Sequence, residues 1–189
     1  GNIVEKAAGL RLDEQEIRRA AQEFVGEIEQ VPPMYSAVKV GGKKLYDLAR
    51  AGQSVERKPR KVVIYQLDIL HVNTADDYPE MAMRVRCSKG TYIRTLCVDI
   101  GKALNVPAVM KQLIRTAAGN FRLNDCLLVE EVERLHREGR LSEKIVPVDQ
   151  AVAHFPSAVV EKDAVRKALA GNALAFHQLS GVPSAGGSL

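Results

Sequence analysis

The sequence predicts an α+β fold: a mixed, mostly antiparallel sheet with flanking helices, followed by the start of a small β-rich unit. Three observations carry this. Residues 61–72 are dense in β-branched side chains (Val62, Val63, Ile64, Ile69, Val72), the composition of a strand. In residues 81–88, Met81, Met83, Val85 and Cys87 alternate with Ala82, Arg84, Arg86 and Ser88, the period of a half-buried strand. From Ile93 the apolar set becomes Ile93, Leu96, Cys97, Ile100 and Leu104, which is helical spacing.

The first element is a helix. Asp13 stands at an N-cap position with Glu16 where a capping box needs it, and Leu12 with Ile17 supplies a hydrophobic staple. Ile17, Ala20, Ala21 and Phe24 form the apolar stripe, Gly26 ends the helix, and Glu14, Glu16 and Glu23 face outward, so this element is scaffold. Next, the prolines of Gln30-Val-Pro-Pro-Met-Tyr35 hold the chain extended before Tyr35. Gly41-Gly42 makes a turn, and residues 43–51 read as a short helix with Leu45, Leu48 and Ala49 inward and Gly52 as its C-cap glycine. A tyrosine fixed by stiff prolines beside several lysines suits stacking on a base while phosphates are neutralised. A core aromatic beside ordinary surface lysines fits the same spacing, which leaves both readings open.

Residues 73–79, Asn-Thr-Ala-Asp-Asp-Tyr-Pro, form a turn cluster joining the strand at 61–72 to the strand at 80–88 as a hairpin. The change from strand to helix falls across Ser88-Lys-Gly-Thr91, where a glycine lets the backbone bend sharply and a ligand approach closely. Arg94 leaves on the helix's first turn, beside free amides and the positive end of the dipole, where a phosphate or carboxylate is held well. Asn105-Val-Pro107 stops that helix. Residues 109–117 read as a further strand, with Gly119 and Phe121 following and Leu113 placed to form an apolar wall. Residues 129–138 are a short amphipathic helix with Val132 and Leu135 inward, ended by Gly139, and residues 147–151 are a linker or turn. A new unit opens at Val159, with Val165, Ala168 and Leu169 on a helix before Gly171-Asn172. The last nine residues, rich in Ser, Gly and Ala, carry no core pattern and are expected to be disordered.

The bulk numbers narrow the classes. A chain of 189 residues with 46% hydrophobic content supports one cored domain plus at most a small second one. No apolar run approaches the roughly 18 residues of a membrane helix, and no signal-peptide pattern is present. Cys87, Cys97 and Cys126 lack paired spacing and read as free thiols of a reducing compartment, the first two as core packing. His71, His136, His154 and His177 lack ligand spacing, so no metal site is expected. The net charge of +4 is unevenly spread: residues 34–61 hold eight Lys and Arg against two acids, and residues 81–122 eight against one. Positive charge concentrated on the two segments singled out above fits a phosphate backbone and salt-sensitive binding.

Three stretches, Val31-Pro-Pro-Met-Tyr-Ser-Ala-Val-Lys39, Gly42-Lys-Lys-Leu-Tyr-Asp-Leu-Ala-Arg50 and Cys87-Ser-Lys-Gly-Thr-Tyr-Ile-Arg-Thr-Leu96, resemble consecutive motifs of the bacterial tRNA pseudouridine synthase B family, in the family's order and separation. Residues 113–121, Leu-Ile-Arg-Thr-Ala-Ala-Gly-Asn-Phe, resemble its next element, and the resemblance runs from about Ile3 to about Leu174. It implies an enzyme that isomerises a flipped-out T-loop uridine, position 55 of tRNA, to pseudouridine, with no metal or organic cofactor. It also implies a partial catalytic domain over 1–150, then a linker and an incomplete RNA-binding (PUA-like) domain over 151–189.

The resemblance assigns roles as well. Tyr35 matches a tyrosine that stacks on the target base, and Arg94 an arginine that pairs with the catalytic aspartate. Tyr92 and Leu113 match positions bordering the uridine, although Tyr92 also fits a core residue at the strand–helix junction. Lys39, Lys43, Lys44, Arg86 and Lys89 are candidates for phosphate contacts. The family's nucleophile lies in a Gly-Thr-Leu-Asp-Pro type motif, whereas Asp13, Asp47, Asp68, Asp76, Asp77 and Asp99 all have other neighbours here. The expectation is therefore a fragment that holds most of the uridine pocket without the nucleophile, which a separate N-terminal segment of the same protein would supply. The expected setting is a cytoplasmic monomer that binds the T-stem-loop of tRNA and no membrane. A non-catalytic RNA-binding or RNA-folding module, or a structural fragment with a sticky unpaired edge, are the readings that the missing aspartate leaves open.

Overall fold

The computed structural model describes residues 3, 5–7, 9–76 and 78–181, which fall in two compact units, Gly1–Leu113 and Ile114–Leu189. In the first unit the elements run α1 (Glu14–Gln22), β1 (Gly26–Gln30), β2 (Lys39–Val40), β3 (Lys43–Lys44), α2 (Leu45–Arg50), β4 (Arg60–Asn73), β5 (Glu80–Cys87) and α3 (Ile93–Ala103). The α+β expectation holds, and every strand pair of the described residues is antiparallel.

α1 starts where its cap chemistry dictates. The Asp13 carboxylate accepts the Gln15 and Glu16 amides at 3.0 and 3.3 Å, and the Glu16 carboxylate accepts the Asp13 amide in return. Gly26 does not end this helix, which stops at Gln22. Gly26 instead opens β1 at φ 109°, a strand absent from the sequence-based reading. Ile28 is the one large apolar residue in Gly26-Glu-Ile-Glu-Gln30, and pairing with β4 (Ile28 opposite Val62, Gln30 opposite Arg60) decides its conformation.

The main sheet has the order β1-β4-β5, and the β4–β5 hairpin closes over 73–80 as the turn cluster predicts. At that turn the Asn73 side chain accepts the Ala75 amide at 3.0 Å and donates to Asp76 at 2.7 Å. β4 carries register shifts between Ile64 and Gln66 and between Ile69 and His71. The first bulge resets the parity of the strand, so Val62 and Ile64 on one side of it and Leu67 and Ile69 beyond it all reach the same face. Burial along β5 alternates without interruption, as its sequence pattern demands. Ile64 and Leu67 join Ala21 of α1 and Leu96 and Ile100 of α3 in the core, with Met83, Val85 and Cys87 packed against them. Each buried Leu or Ile of this set contributes about 1.5–3 kcal/mol. The helices thus cover one face of the sheet, and the other carries Glu27, Lys61, Tyr65, Arg84 and Arg86, with Lys61 and Glu27 paired at 2.7 Å.

α3 ends at Ala103 with Leu104 as its C-cap, and Asn105 follows in the left-handed region at φ 54°, two residues before Pro107. The strand expected over 109–117 does not form. Residues 109–116 are irregular, Val109 is 83% exposed, and only Ala117–Ala118 joins a ladder. Lys111, Gln112 and Arg115 interrupt the apolar residues, and among the described residues no strand pairs with this stretch.

The second unit is built from short pieces: the hairpin β6 (Ala117–Ala118) and β7 (Phe121–Arg122), α4 (Val129–Arg137), α5 (Val148–Ala151), β8 (Val159–Val160), α6 (Val165–Leu169) and β9 (Leu179–Ser180), which pairs with β8. Leu135 of α4 is buried as expected, but Val132 is 37% exposed. Residues 147–151, expected as a linker or turn, hold the one-turn α5, because Pro147 occupies an N-cap and supplies a carbonyl to the Ala151 amide. α6 carries Val165, Ala168 and Leu169 as expected; its buried contact is Ala164 at the N-cap, while Leu169 is 84% exposed. Most of the C-terminal tail assigned to disorder lies outside the described residues.

Candidate functional site

The junction between β5 and α3 is built almost wholly from hydrogen bonds. After Cys87, the Ser88 amide donates to the Val63 carbonyl at 2.8 Å, and the Ser88 hydroxyl accepts the Val63 amide at 2.9 Å. The Thr91 hydroxyl donates to the Ser88 carbonyl at 2.8 Å, closing a turn that needs Gly90 at φ 83°. Tyr92 then caps α3 in an extended conformation, with no cap bond from its own side chain. The backbone of Tyr92 is held instead by Gln30 at the end of β1. The Gln30 side-chain oxygen accepts the Tyr92 amide at 2.9 Å, its nitrogen donates to the Tyr92 carbonyl at 3.3 Å, and Gln30 is buried.

Arg94 leaves the first turn of α3 into a cleft of about 580 Å³. Phe24, Val31, Pro33 and Val98 form its apolar walls, and Glu29, Arg57, Asp99 and Lys102 supply charge. Asp99 is paired with Lys102 at 2.9 Å. Arg57 donates to the Pro32 carbonyl at 3.0 Å, which ties down the extended Val31–Pro33 wall, while its Nε is buried without a partner among the described residues. Among the described residues Arg94 makes no ion pair and no side-chain hydrogen bond. An exposed guanidinium at the positive end of a helix, with no carboxylate on it, is suited to take an anion from outside.

Beyond Pro33 the chain bends through Met34–Ala37 and enters the β2–β3 hairpin. The two-residue turn puts Gly41 and Gly42 at φ 56° and 82°, values that favour glycine at both positions. The Tyr46 amide donates to the Ser36 carbonyl at 3.1 Å, which holds the Tyr35 bend against the start of α2. Tyr35 is 63% exposed, and Lys39, Lys43 and Lys44 are exposed on the adjoining hairpin. Lys44 and Arg50 each lie 5.4 Å from the Tyr46 ring centroid.

The other sequence-derived residues are dispersed. Arg94 lines the cleft, whereas Tyr35, Tyr92 and Leu113 do not. Tyr92 is half-buried at the cap, Lys89 is exposed in the turn, and Leu113 is 55% exposed on the irregular stretch. Arg86 stacks over the Tyr65 ring at 5.5 Å on the open face of the sheet.

The family described as "TruB family pseudouridylate synthase (N terminal domain)" matches residues 1–93, and the "tRNA pseudouridylate synthase B C-terminal domain" matches residues 94–153. The chain belongs to the TruB family. Its curated TruB relatives include the tRNA pseudouridine synthase B of Bacillus licheniformis, 46% identical over 169 residues, covering 88% of this chain and 55% of that protein. The enzyme of the same name from Geobacillus kaustophilus is 51% identical over 143 residues, covering 75% of this chain and 50% of that protein. The chain thus spans about half the length of the curated TruB relatives it matches. Among solved structures it resembles a chain from a Cbf5-Nop10-Gar1 complex, with a TM-score of 0.72 and 28% identity over 92% of this chain and 49% of that one.

Sequence reasoning singled out the Ser88–Thr91 turn but missed Arg57 in this cleft and Gln30 behind it. A signal for Gln30 was present: Ile28 and Gln30 share a strand face, so a polar residue stands at core parity. Nothing in the sequence marked Arg57, whose partner is a backbone carbonyl. Among the described residues no group of three or more His, Cys, Asp or Glu is placed to hold a metal ion, and no helix is long and apolar enough to cross a membrane.

Proposed function

We propose that the protein is a tRNA pseudouridine synthase that isomerises a flipped-out T-loop uridine, position 55, to pseudouridine, and that these 189 residues supply most of the uridine pocket. The observation that carries this reading is Arg94: a guanidinium without an ionic partner among the described residues, fixed at a helix start and opening into a cleft beside two basic segments. A family whose reaction runs through a carboxylate needs such a group, because a guanidinium fork both orients a carboxylate and favours its charged form.

In this reading the nucleophilic aspartate comes from a Gly-Thr-Leu-Asp-Pro type motif outside these 189 residues, and Arg94 receives it. The base leaves the stack at a cost of a few kcal/mol. Tyr35, exposed on a bend stiffened by Pro32 and Pro33, stacks on it, and Tyr92 and Leu113 border it. After attack by the aspartate on the uridine or its ribose, the glycosidic bond breaks and the base is rejoined through C5. Lys39, Lys43, Lys44, Arg86 and Lys89 neutralise phosphates, which positions the RNA without reading its sequence. Residues 1–150 belong to the catalytic domain and 151–189 open an RNA-binding unit. The protein works as a cytoplasmic monomer on the T-stem-loop.

Tritium release from a T-stem-loop labelled at uridine C5 tests this with the natural protein that contains the chain. Release that disappears when cytidine replaces the T-loop uridine is expected. Salt-sensitive binding with no release would overturn the proposal in favour of a non-catalytic RNA-binding module, the reading that the absent aspartate supports.

A further inference from the structure

The residue that leads into α3 is held by one side chain from another element, while the helix has no side-chain cap of its own. Gln30 reaches across from the end of β1, 62 residues away in sequence, and bonds both the amide and the carbonyl of Tyr92. Its carboxamide therefore acts as a surrogate peptide, extending the strand ladder onto the residue at which α3 begins. Being fully buried, it has no water to replace either bond. Gln30 is followed directly by Val31 and Pro33 of the cleft wall, and Tyr92 is followed two residues on by Arg94 of the same cleft. One side chain thus sets the position of both walls.

We propose that Gln30 is a positioning residue for the reaction, holding Tyr92 and Arg94 at the angle that the uridine and the nucleophile require. The proposal rests on the synthase reading for its kinetic arm and on geometry alone for its structural arm. Removing the amide leaves the fold's core intact but lets the start of α3 shift. A shift of about 1 Å there slows a positioned reaction by about 100-fold. It leaves RNA affinity within about threefold, because phosphate contacts dominate binding.

The test uses Gln30→Met, similar in shape but without either bond, and Gln30→Glu in the natural protein. Single-turnover tritium release, tRNA binding and hydrogen exchange at the Tyr92 amide are measured for each. For Gln30→Met, a rate about 100-fold down, near-normal binding and a deprotected Tyr92 amide are expected. Gln30→Glu can restore both bonds only when protonated. Its rate and its Tyr92 protection should therefore rise together as pH falls, a dependence the wild type lacks. Arg60 is the ladder partner of Gln30 and is exposed, and Arg57 is engaged with the Pro32 carbonyl; both are left unchanged in each variant. A wild-type Tyr92 amide that exchanges freely, or a Gln30→Met variant with normal rate and protection, overturns the proposal. Protection that changes as expected in a protein that releases no tritium overturns the synthase reading instead and leaves Gln30 as the anchor of Tyr92.

Discussion

Ser88 and Val63 exchange two hydrogen bonds of different origin, the Ser88 amide donating to the Val63 carbonyl at 2.8 Å and the Val63 amide donating to the Ser88 hydroxyl at 2.9 Å. The backbone ladder of β4 and β5 ends at Ile64 and Cys87. A side chain therefore takes over one ladder bond at the point where the chain must turn toward α3. Ser88→Ala leaves a half-buried amide without its acceptor, at a cost of about 1–3 kcal/mol. A lower denaturant midpoint and faster exchange at the Val63 amide are expected. An unchanged midpoint would mean that water replaces the hydroxyl.

Gly101 makes the opposite point about the far end of α3. Glycine to alanine inside a helix ordinarily stabilises by about 1 kcal/mol. Here a β-carbon would stand 2.5 Å from the Ala108 β-carbon and 2.8 Å from the Val106 carbonyl oxygen, where the chain folds back after Pro107. Overpacking against backbone costs about 1–3 kcal/mol or more, so packing outweighs propensity. Gly101→Ala should lower the thermal midpoint, and adding Ala108→Gly should recover part of the loss. A stabilised Gly101→Ala would mean that the 105–108 segment moves aside freely.

These two sites mark the boundary of what the sequence made legible. β5 and α3 were readable because each buries one face, and period two and period 3.6 write that burial directly into the residue order. α1 was readable through Asp13 and Glu16, whose bonds are local. β1 was not, because its strand state comes from pairing with β4, and Ile28 is the one large apolar residue among its five, too few for a period to show. The apparent strand at 109–117 failed for the converse reason: apolar residues without a partner strand do not fix a conformation. Arg94 was placed in its helix turn from local pattern alone. Its cleft, made by β1, Pro33 and Arg57, is a long-range product that no local pattern carries.

The cysteines separate by environment. Burial pushes the Cys97 thiol up from its ordinary value, whereas Cys126 is exposed and Cys87 packs against the core. Because the thiolate is the reactive form, iodoacetamide at mildly alkaline pH should label Cys126 first and Cys97 last. The folded-state value of Cys97 lies above the unfolded one. Its contribution to stability is therefore complete below the usual thiol range of about 8.5 and is lost as pH rises through the folded value. A Cys97 labelled as fast as Cys126 in peptide mapping would contradict its burial.

Lys43 and Lys44 sit at the paired positions of a hairpin whose glycine turn leaves their side chains exposed. If each meets one phosphate, Lys43→Ala and Lys44→Ala should each reduce the slope of log binding constant against log salt by about one. The loss should be the same for cognate and unrelated RNA stems. An unchanged slope for either would remove that lysine from the interface. Lys44 offers a second readout, since its contact with the Tyr46 ring contributes about 0.5–1 kcal/mol at an exposed site.

Tyr35 and Arg94 divide the proposed work between stacking and charge. Tyr35→Ala removes the exposed ring while the bend stays tied to α2 through Ser36 and Tyr46. Turnover should be abolished with much of the RNA affinity kept, because phosphate contacts supply most of it. A near-normal tritium-release rate would take Tyr35 out of the pocket.

Arg94→Lys keeps the charge and the helix but replaces a planar fork by a point charge. A carboxylate held by two parallel bonds then becomes one held by a single flexible ammonium, and its orientation toward the base is lost. Misplacement on that scale costs about 100-fold in turnover. The free Arg94 side chain satisfies no partner among the described residues, so its replacement should leave the denaturant midpoint unchanged. Loss of rate at constant stability therefore separates an anion-holding role from a structural one. A harmless Arg94→Lys would mean that the cleft holds its anion through Arg57 and the amides at the start of α3.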